Sequence, residues 1–173
     1  PLSFYGVGKL ASENYLRIYE SKGLKFTSLR FFNVYGPGQN MQNLRQGMVS
    51  IFLKQLLEHD KIIVKGPLDR FRDFVYIDDS VDFTTGIIGN ENTFGCFYNV
   101  GTGIRTTVKE VIEQMIKISG VKKQIAIEKG TPGDQKGIYA DTSAALSDIG
   151  FKTGFSLEEG LDKMIRWAIN ISQ

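Results

Sequence analysis

The sequence predicts an α/β fold with mainly parallel strands. Short apolar, β-branched stretches alternate with longer amphipathic stretches along the whole chain, which is the pattern of strand–helix–strand units. Two Ser/Thr-x-x-Glu sequences mark helix starts, and clusters of Gly, Pro and Asn separate the elements. The 173 residues are enough for one domain with a sizeable core.

Helices are expected where helix-forming residues keep one apolar face and a cap or stop lies at the end. Two capping boxes open helices, Thr107 with Glu110 and Ser156 with Glu159. In chain order, helices are predicted over 6–21, over 47–58, from a cap at Asp78 or Asp79, after Thr107, over 141–150 and after Ser156.

Strands are expected in short apolar runs bounded by turn residues. The stretch 33–43 is rich in Gly, Pro and Asn and is predicted to be a loop, and 66–70 is predicted to be a turn. The sequence VGTG at 100–103 lacks the full glycine spacing of a phosphate loop, so it is also predicted to be a turn. The predicted strands are 24–32, 61–66, 71–77, 96–101 and 123–130.

The composition argues against several kinds of partner and cofactor. The net charge of +2, from 21 basic and 19 acidic residues, is too balanced to predict nucleic-acid or anionic-membrane binding. One cysteine allows no internal disulfide, and one histidine far from it makes a metal site unexpected. Cys96 lies in an apolar run and is predicted to be a small buried side chain. No apolar run is long enough to span a membrane, and no signal peptide is visible.

Tyr5 and Lys9 form a candidate proton-transfer pair. A spacing of four residues places them on one face of the first predicted helix. A phenol has a pKa of about 10 and is a poor base at neutral pH, but a nearby ammonium favours the phenolate. Such a pair can remove a proton from an alcohol while its carbon loses hydride. Taken alone, a tyrosine packed over a lysine stem explains the same spacing.

Six motifs follow one another along the chain, and the first of them contains this pair. In order, they are SFYGVGKLASENY, LRFFNVYGPGQ, RDFVYIDDSVD, FYNVGTG, TPGDQKGIYAD and FSLEEGLDKMIRW. This series resembles the extended short-chain dehydrogenase/reductases over essentially the whole chain. It is most similar to nucleotide-sugar epimerases and dehydratases of the UDP-glucose 4-epimerase kind.

The resemblance implies the carboxyl-terminal part of an extended Rossmann-like fold with a substrate-binding lobe. Residues 1–40 would be the end of the dinucleotide-binding domain, including the Tyr-Lys helix. Residues 41–173 would be mainly the substrate-binding lobe, with 78–103 returning to the main sheet. The chain begins with Pro1, directly on a motif. We therefore expect it to be part of a longer protein, with the Gly-rich phosphate loop and a catalytic Ser or Thr upstream.

The resemblance also implies roles for residues near the catalytic pair. Tyr5 would be the base that takes the sugar hydroxyl proton. Lys9 would hold the nicotinamide ribose and acidify the tyrosine. Phe32 would lie against the nicotinamide, so Tyr5, Lys9 and Phe32 are the expected cofactor contacts. Asn33 would hydrogen-bond the nucleotide sugar, although a turn asparagine explains the same residue locally.

Further substrate contacts are implied along the chain. Arg72 would bind the diphosphate, since its planar fork of donors suits phosphate oxygens. Val64 and Lys65 would run past the uracil or its equivalent, and Asp134 would contact the nucleotide ribose. Local alternatives stay open for two of these: an ion pair of Arg72 with a neighbouring aspartate, Asp69 or Asp73, and a turn aspartate at 134.

Two departures from the family pattern affect the nucleotide-sugar pocket. Thr131 precedes Pro-Gly-Asp where the family commonly has arginine, and Ser50 stands where a proline is usual. Both leave the identity of the base and the sugar open. Asp78 and Asp79 are expected to serve a helix start rather than a metal ion.

The expected function is NAD-dependent epimerisation of a nucleotide sugar, at C4 through a keto-sugar, with NADP as the alternative cofactor and no metal. The expected protein is a cytoplasmic homodimer when full length, and the 173 residues alone are expected to be inactive. The alternatives are a nucleotide-sugar 4,6-dehydratase, a related reductase or decarboxylase, and a non-catalytic nucleotide-sugar-binding protein of the same fold.

Overall fold

The computed structural model describes residues 1, 3–43, 47–130 and 135–171. Within these ranges the helices are α1 Phe4–Glu20, α2 Met48–Glu58, α3 Ile77–Gly86, α4 Val108–Ser119, α5 Ser143–Ile149 and α6 Leu157–Ile171. The strands are β1 Ser28–Phe31, β2 Asn33–Tyr35, β3 Lys61–Lys65, β4 Phe71–Arg72, β5 Phe74–Tyr76, β6 Phe97–Val100, β7 Thr106–Thr107 and β8 Gln124–Glu128.

The strand pairing is mainly parallel, as predicted. β1 pairs with β6, β2 with β5 and β3 with β8, all in parallel, and the short strands β4 and β7 pair antiparallel. Parallel pairs need long crossover connections, and the helices between the strands supply them. The predicted α/β class is therefore confirmed.

The backbone changes partner at Phe32, between β1 and β2. β1 runs beside β6 up to the pair Phe31 and Val100, and the Phe32 N–H still donates to the Val100 carbonyl at 3.0 Å. The next residue, Asn33, donates instead to the Asp73 carbonyl at 3.0 Å, and β2 continues along β5. The chain therefore diverges from β6 at this point, where neighbouring side chains line a cavity.

The larger hydrophobic core lies between α2, β3, α4 and α6. Each of these helices carries its buried apolar side chains on one face, at helical spacing. β3 contributes Ile62 and Val64 from one of its faces. Its side chains without exposed surface include Leu53, Leu56, Ile112, Met115, Leu161 and Met164.

A second, smaller core joins α3, β6 and α5. It contains Phe83, Tyr98 and Ala145. Cys96 packs against this cluster but is half-buried rather than fully buried, since it lies just before β6. The predicted buried position of Cys96 is thus only partly correct.

Both predicted capping boxes are present. The Thr107 hydroxyl accepts from the Glu110 N–H at 3.1 Å, and the Glu110 carboxylate accepts from the Thr107 N–H at 2.6 Å. Ser156 and Glu159 exchange the same two bonds at the start of α6, at 3.3 and 2.9 Å. Each box satisfies backbone donors that the first turn of a helix leaves unpaired.

Two local predictions were wrong. The predicted loop 33–43 begins with the strand β2, because Asn33–Tyr35 gains backbone partners in β5 that a local Gly and Pro signal does not reveal.

Asp78 and Asp79 do not cap α3, whose N-cap is Tyr76, and both lie in its first turn. The Asp79 carboxylate is buried and accepts from the backbone N–H groups of Gly154 and Phe155 at 2.6 and 3.4 Å.

Removal of one capping box should destabilise the fold measurably. We expect Thr107→Ala to lower the free energy of unfolding by about 1 kcal/mol, since it leaves the Glu110 N–H without its acceptor. The measurement is a urea titration of the complete gene product, meaning the protein as its gene encodes it. The control is Thr85→Ala, whose exposed hydroxyl bonds only carbonyls of its own helix. Equal stability of the two variants would contradict the prediction.

Candidate functional site

Three cavities follow one another along β1 and β2. The α1 cavity, about 380 Å³, lies between α1 and β1 and is lined by Tyr5, Lys9, Glu13 and 28–31. The central cavity, about 640 Å³, is lined by 30–33, Arg72, Asn99, Tyr139 and Asp141. The α2 cavity, about 470 Å³, is lined by Asn33, Phe52, Gln55, Lys65 and Arg70 together with other residues of α2, β3 and β8. Neighbouring cavities share lining residues, Phe31 between the first two and Asn33 between the last two.

Tyr5 and Lys9 lie on the first turns of α1, as predicted. Ser3 caps this helix, since its hydroxyl accepts from the Gly6 N–H at 3.0 Å. The Lys9 ammonium lies over the Tyr5 ring, 5.4 Å from the ring centroid. Tyr5 is 75% exposed, so its hydroxyl is accessible from the α1 cavity. The arrangement brings a phenol and an ammonium to one cavity wall.

A bidentate ion pair between Glu13 and Arg30 connects α1 to β1. The Arg30 guanidinium donates from Nε and Nη2 to the two carboxylate oxygens of Glu13, at 2.6 and 2.7 Å. Hydrogen bonding to Arg30 holds the pKa of Glu13 below its ordinary value. Arg30 also lies over the Phe97 ring of β6, 5.5 Å from its centroid. Glu13 therefore ties α1 to the strand that leads to Phe32 and Asn33.

Phe32, Asn33 and Arg72 all line the central cavity. The Asn33 Nδ2 donates to the Asp73 carbonyl at 3.0 Å, so this side chain is oriented by the neighbouring strand. The Arg72 Nη1 donates to the carbonyls of Phe71 and Gln135, at 2.8 and 3.2 Å. Two adjacent residues and a third that lies about forty positions later thus line one space.

Asp73 has no exposed surface, and its carboxylate connects its own segment with the turn at 102–103 and with Ala140. Its carboxylate accepts hydrogen bonds from the Thr102 N–H and hydroxyl, the Gly103 N–H and the Ala140 N–H, at 2.8, 2.7, 2.8 and 3.1 Å. A Cβ at Gly101 would lie 2.7 Å from an Asp73 carboxylate oxygen, so glycine is needed there. The VGTG sequence is therefore a turn that binds this carboxylate, as a turn was predicted.

Lys65 and Val64 lie on opposite sides of β3. Lys65 lines the α2 cavity, whereas Val64 has no exposed surface, packs in the larger core and is not among the residues that line this cavity. Asn33 also lines this cavity. Asp134, predicted to contact the ribose, and Thr131 lie outside the described residues.

Two guanidinium groups flank Asn33. Burial lowers the pKa of Arg70, and burial together with the positive charge of Arg70 lowers the pKa of Arg72. Both shifts reflect the partial burial of these cations. The Arg72 guanidinium lines the central cavity, and its planar set of donors suits phosphate oxygens, so this cavity can take a phosphate-bearing ligand.

Sequence reasoning missed several residues of this site. Asp73 is adjacent to Arg72, but its partners lie 29 to 67 residues away. The ion pair of Glu13 with Arg30 spans 17 residues. The Gln55 side-chain oxygen accepts a hydrogen bond from the backbone N–H of Ile63 in β3. No local spacing signals such contacts. Within the described ranges, no group of three or more His, Cys, Asp and Glu is placed to hold a metal ion, and no helix has the length and apolar character to cross a membrane.

The fold and cavities define an α/β protein with a crevice at the carboxyl ends of parallel strands, where such folds bind nucleotides. The chain belongs to the NAD dependent epimerase/dehydratase family, whose profile matches residues 1–101. The resemblance predicted from the motifs is therefore confirmed.

Solved structures show the same fold. UDP-glucose 4-epimerase of Thermotoga maritima, solved with UDP-glucose, matches with a TM-score of 0.91 at 31% identity over 98% of this chain and 54% of its own. UDP-glucuronic acid 4-epimerase of Bacillus cereus, solved with UDP-glucuronic acid and NAD, matches with a TM-score of 0.90 at 30% identity over 99% of this chain and 54% of its own.

A curated relative represents a second activity within the family. The dTDP-4-dehydro-6-deoxyglucose reductase of Escherichia coli is 32% identical over 166 residues, which cover 94% of this chain and 51% of that protein. The chain thus spans about half the length of each relative named here.

The ion pair between α1 and β1 should make stability depend on pH. A carboxyl group with a lowered pKa stabilises the fold above its ordinary pKa of 4.5, and that contribution is lost as the pH falls further. We expect Glu13→Gln to lower the urea midpoint of the complete gene product at pH 7, with the difference from wild type shrinking below pH 4.5.

The control for this experiment is Glu113→Gln, which removes an exposed carboxylate paired with Lys109 on α4. Its midpoint should stay close to that of the wild type across the same range, because exposed pairs contribute little. A constant difference between Glu13→Gln and wild type at all pH values would show that the ion pair is not the cause.

Proposed function

We propose that this chain carries the Tyr-Lys pair and the substrate-binding part of an NAD-dependent nucleotide-sugar epimerase that acts at C4. One observation carries the proposal: the cavity beside Tyr5 and Lys9 leads, through shared lining residues, into cavities lined by Arg72, Arg70 and Lys65, whose side chains suit phosphate oxygens. The family and the epimerases among its relatives support the same activity.

In this proposal the substrate extends along the three cavities. The sugar lies near Tyr5, the diphosphate contacts Arg72 and Asn33, and the nucleoside enters the α2 cavity beside Lys65. Asp134 would contact the ribose. Binding far from the reacting carbon anchors the nucleotide while the sugar itself stays free to rotate, which an epimerase requires.

Tyr5 would act as the general base toward a sugar hydroxyl. The Lys9 ammonium lies 5.4 Å from the centroid of the Tyr5 ring, and Tyr5 lines the α1 cavity, where its exposed side chain can contact a substrate hydroxyl directly. After proton removal from the hydroxyl, Tyr5 holds that proton and returns it at the end of the cycle.

The residues of the α1 cavity fit a nicotinamide nucleotide by their chemistry. Tyr5 and Lys9 present hydroxyl and ammonium donors suited to ribose hydroxyls, and Phe32 presents an aromatic side chain at the adjoining cavity. When bound, the nicotinamide supplies the acceptor and donor for hydride. The proposed division is that residues 1–40 serve this cofactor, whereas 41–173 mainly serve the substrate, with 78–103 returning to the main sheet.

A reductase of the same family is the second candidate, because one relative of comparable identity has that activity. A 4,6-dehydratase and a non-catalytic binding protein are the remaining alternatives. Analysis of products from UDP-glucose and related nucleotide sugars separates all of these. An epimer marks the proposed activity, a reduced or dehydrated sugar marks the rivals, and binding without turnover marks a non-catalytic protein.

The role of Tyr5 can be tested with a matched pair of variants. In the complete gene product, Tyr5→Phe should lower kcat by about 100-fold or more, because it removes the base and leaves the ring in place. Tyr19→Phe is the control and should keep wild-type activity, since Tyr19 lies on the same helix, has Lys22 over its ring at the same 5.4 Å, and does not line the α1 cavity. Full activity of Tyr5→Phe would overturn the proposed mechanism.

The proposal includes a cytoplasmic homodimer. No residue of α1 is buried, and this helix exposes apolar and aromatic side chains, among them Val7, Leu10, Tyr15 and Ile18. Such a face favours association with a second copy.

Sedimentation velocity of the complete gene product tests the dimer. Ile18 is 55% exposed, and Ile18→Glu places a charge on the proposed contact. We expect the wild type to sediment as a dimer and Ile18→Glu to shift toward monomer. A control variant at an exposed isoleucine outside α1, Ile88→Glu, should remain dimeric. A monomeric wild type would overturn this part of the proposal.

A further inference from the structure

The segment 135–140 is bonded at both of its ends to neighbouring residues of one strand region. The Ala140 N–H donates to the buried Asp73 carboxylate at 3.1 Å. At the other end, the Gln135 carbonyl accepts a hydrogen bond from the Arg72 Nη1 at 3.2 Å. The position of this segment therefore decides where one anchor of the Arg72 guanidinium lies.

The Arg72 guanidinium is oriented by backbone carbonyls at a single nitrogen. Nη1 donates to the Phe71 carbonyl at 2.8 Å as well as to the Gln135 carbonyl. A guanidinium is planar, so two hydrogen bonds from one nitrogen fix the plane in which its other donors lie. A displaced Gln135 carbonyl would turn that plane, and a planar set of donors depends on its orientation to meet phosphate oxygens.

Gly137 lies directly against the ring of Phe71. A Cβ at residue 137 would overlap the Cε1, Cε2 and Cζ atoms at the far end of that ring. The two residues also form a parallel backbone bridge, and the Phe71 N–H donates to the Lys136 carbonyl at 3.1 Å. Gly137 does not have a positive φ, so the close approach of its backbone to the ring is what requires glycine.

The Phe71 ring is itself held in place by its neighbours. The Arg105 guanidinium lies over it, 4.0 Å from the ring centroid, and the Tyr139 ring lies against it at 6.2 Å between centroids. The backbone of Phe71 pairs with Thr107 of β7. The ring therefore has little room to move away from a larger residue at 137.

We propose that Gly137 and Phe71 are positioning residues for diphosphate binding. Their close packing sets the Gln135 carbonyl against Arg72 and thereby orients the guanidinium toward the ligand. The proposal rests on the proposed function, in which Arg72 contacts the diphosphate. Neither Gly137 nor Phe71 is among the residues that line the central cavity, so their effect on binding passes through Arg72.

Gly137→Ala tests the role of the close packing. We expect it to weaken the binding of UDP to the complete gene product about tenfold, because the added methyl group displaces the segment and the Gln135 carbonyl with it. Titration calorimetry measures the affinity. The control is Gly86→Ala at the end of α3, where a Cβ would have no neighbour within 4 Å, and its affinity should equal that of the wild type.

A second substitution should rescue the first. Leucine at position 71 lacks the three ring atoms that a Cβ at 137 would overlap, so Phe71→Leu makes room for the methyl group. Phe71→Leu alone should weaken UDP binding about threefold through lost support for the segment, and the double variant should bind about as well as Phe71→Leu. No recovery in the double variant would overturn the proposed packing.

The Arg72→Met background separates positioning from general damage to the site. Since Gly137 acts through Arg72, adding Gly137→Ala to Arg72→Met should change the UDP affinity by less than about twofold. A full tenfold loss in this background would overturn the inference. If circular dichroism shows that Gly137→Ala is unfolded, Phe71→Leu takes its place in this comparison, and its threefold loss should disappear.

The outcomes distinguish this inference from the proposed function. The measurements use whichever of UDP, dTDP and GDP the wild type binds most tightly. Unchanged affinity in folded Gly137→Ala would overturn the positioning role alone. Wild-type affinity of Arg72→Met would remove the diphosphate contact from the proposed function, and the inference with it. A wild-type protein that binds none of the three nucleotides would overturn the proposed function itself.

Discussion

The buried carboxylate of Asp73 is the interaction on which the candidate site depends. Its oxygens accept from the turn at 102–103 and from Ala140, and its own carbonyl accepts from the backbone and side chain of Asn33. A carboxylate without exposed surface is costly unless several donors surround it, and here they come from distant segments. Those segments therefore have little freedom to move apart. Arg72, the preceding residue, lines the central cavity, whereas the Asp73 carboxylate faces the turn at 102–103.

The change of partner at Phe32 converts a parallel sheet into a binding crevice. β1 follows β6, and β2 follows β5, so the chain diverges where Phe32 and Asn33 lie. Side chains from both pairs then line one space without any long loop to position them. Asn33 can contact a ligand only because its backbone is already bonded to β5. The site is thus a consequence of strand pairing and not of a separate binding motif.

The sequence predicted interactions between residues close together along the chain and missed interactions between distant residues. The capping boxes at Thr107 and Ser156 and the Tyr5–Lys9 pair depend on residues three or four apart, and the structure contains all of them. β2 was missed because Asn33–Tyr35 pairs with residues about forty positions later, next to a strong turn signal. Asp79 was assigned to a helix cap because its acceptor role toward Gly154 depends on the folded chain. The family resemblance located Asn33 and Arg72, but nothing in the sequence indicated that Asp73 holds them together.

The two ends of the candidate site differ in rigidity, and this difference suits the proposed chemistry. The α2 cavity is built on elements that contribute fully buried side chains such as Leu53 and Val64 to the larger core, so a nucleoside bound there is held against a fixed surface. The α1 cavity is bounded by a helix without buried residues, which the Glu13–Arg30 pair ties to β1. An epimerase must present both faces of one sugar carbon to the same cofactor, and it can do so only if the sugar turns while the rest of the substrate stays in place. In the proposed arrangement, firm contacts at the nucleoside and diphosphate, combined with an open cavity at the sugar, would meet that requirement.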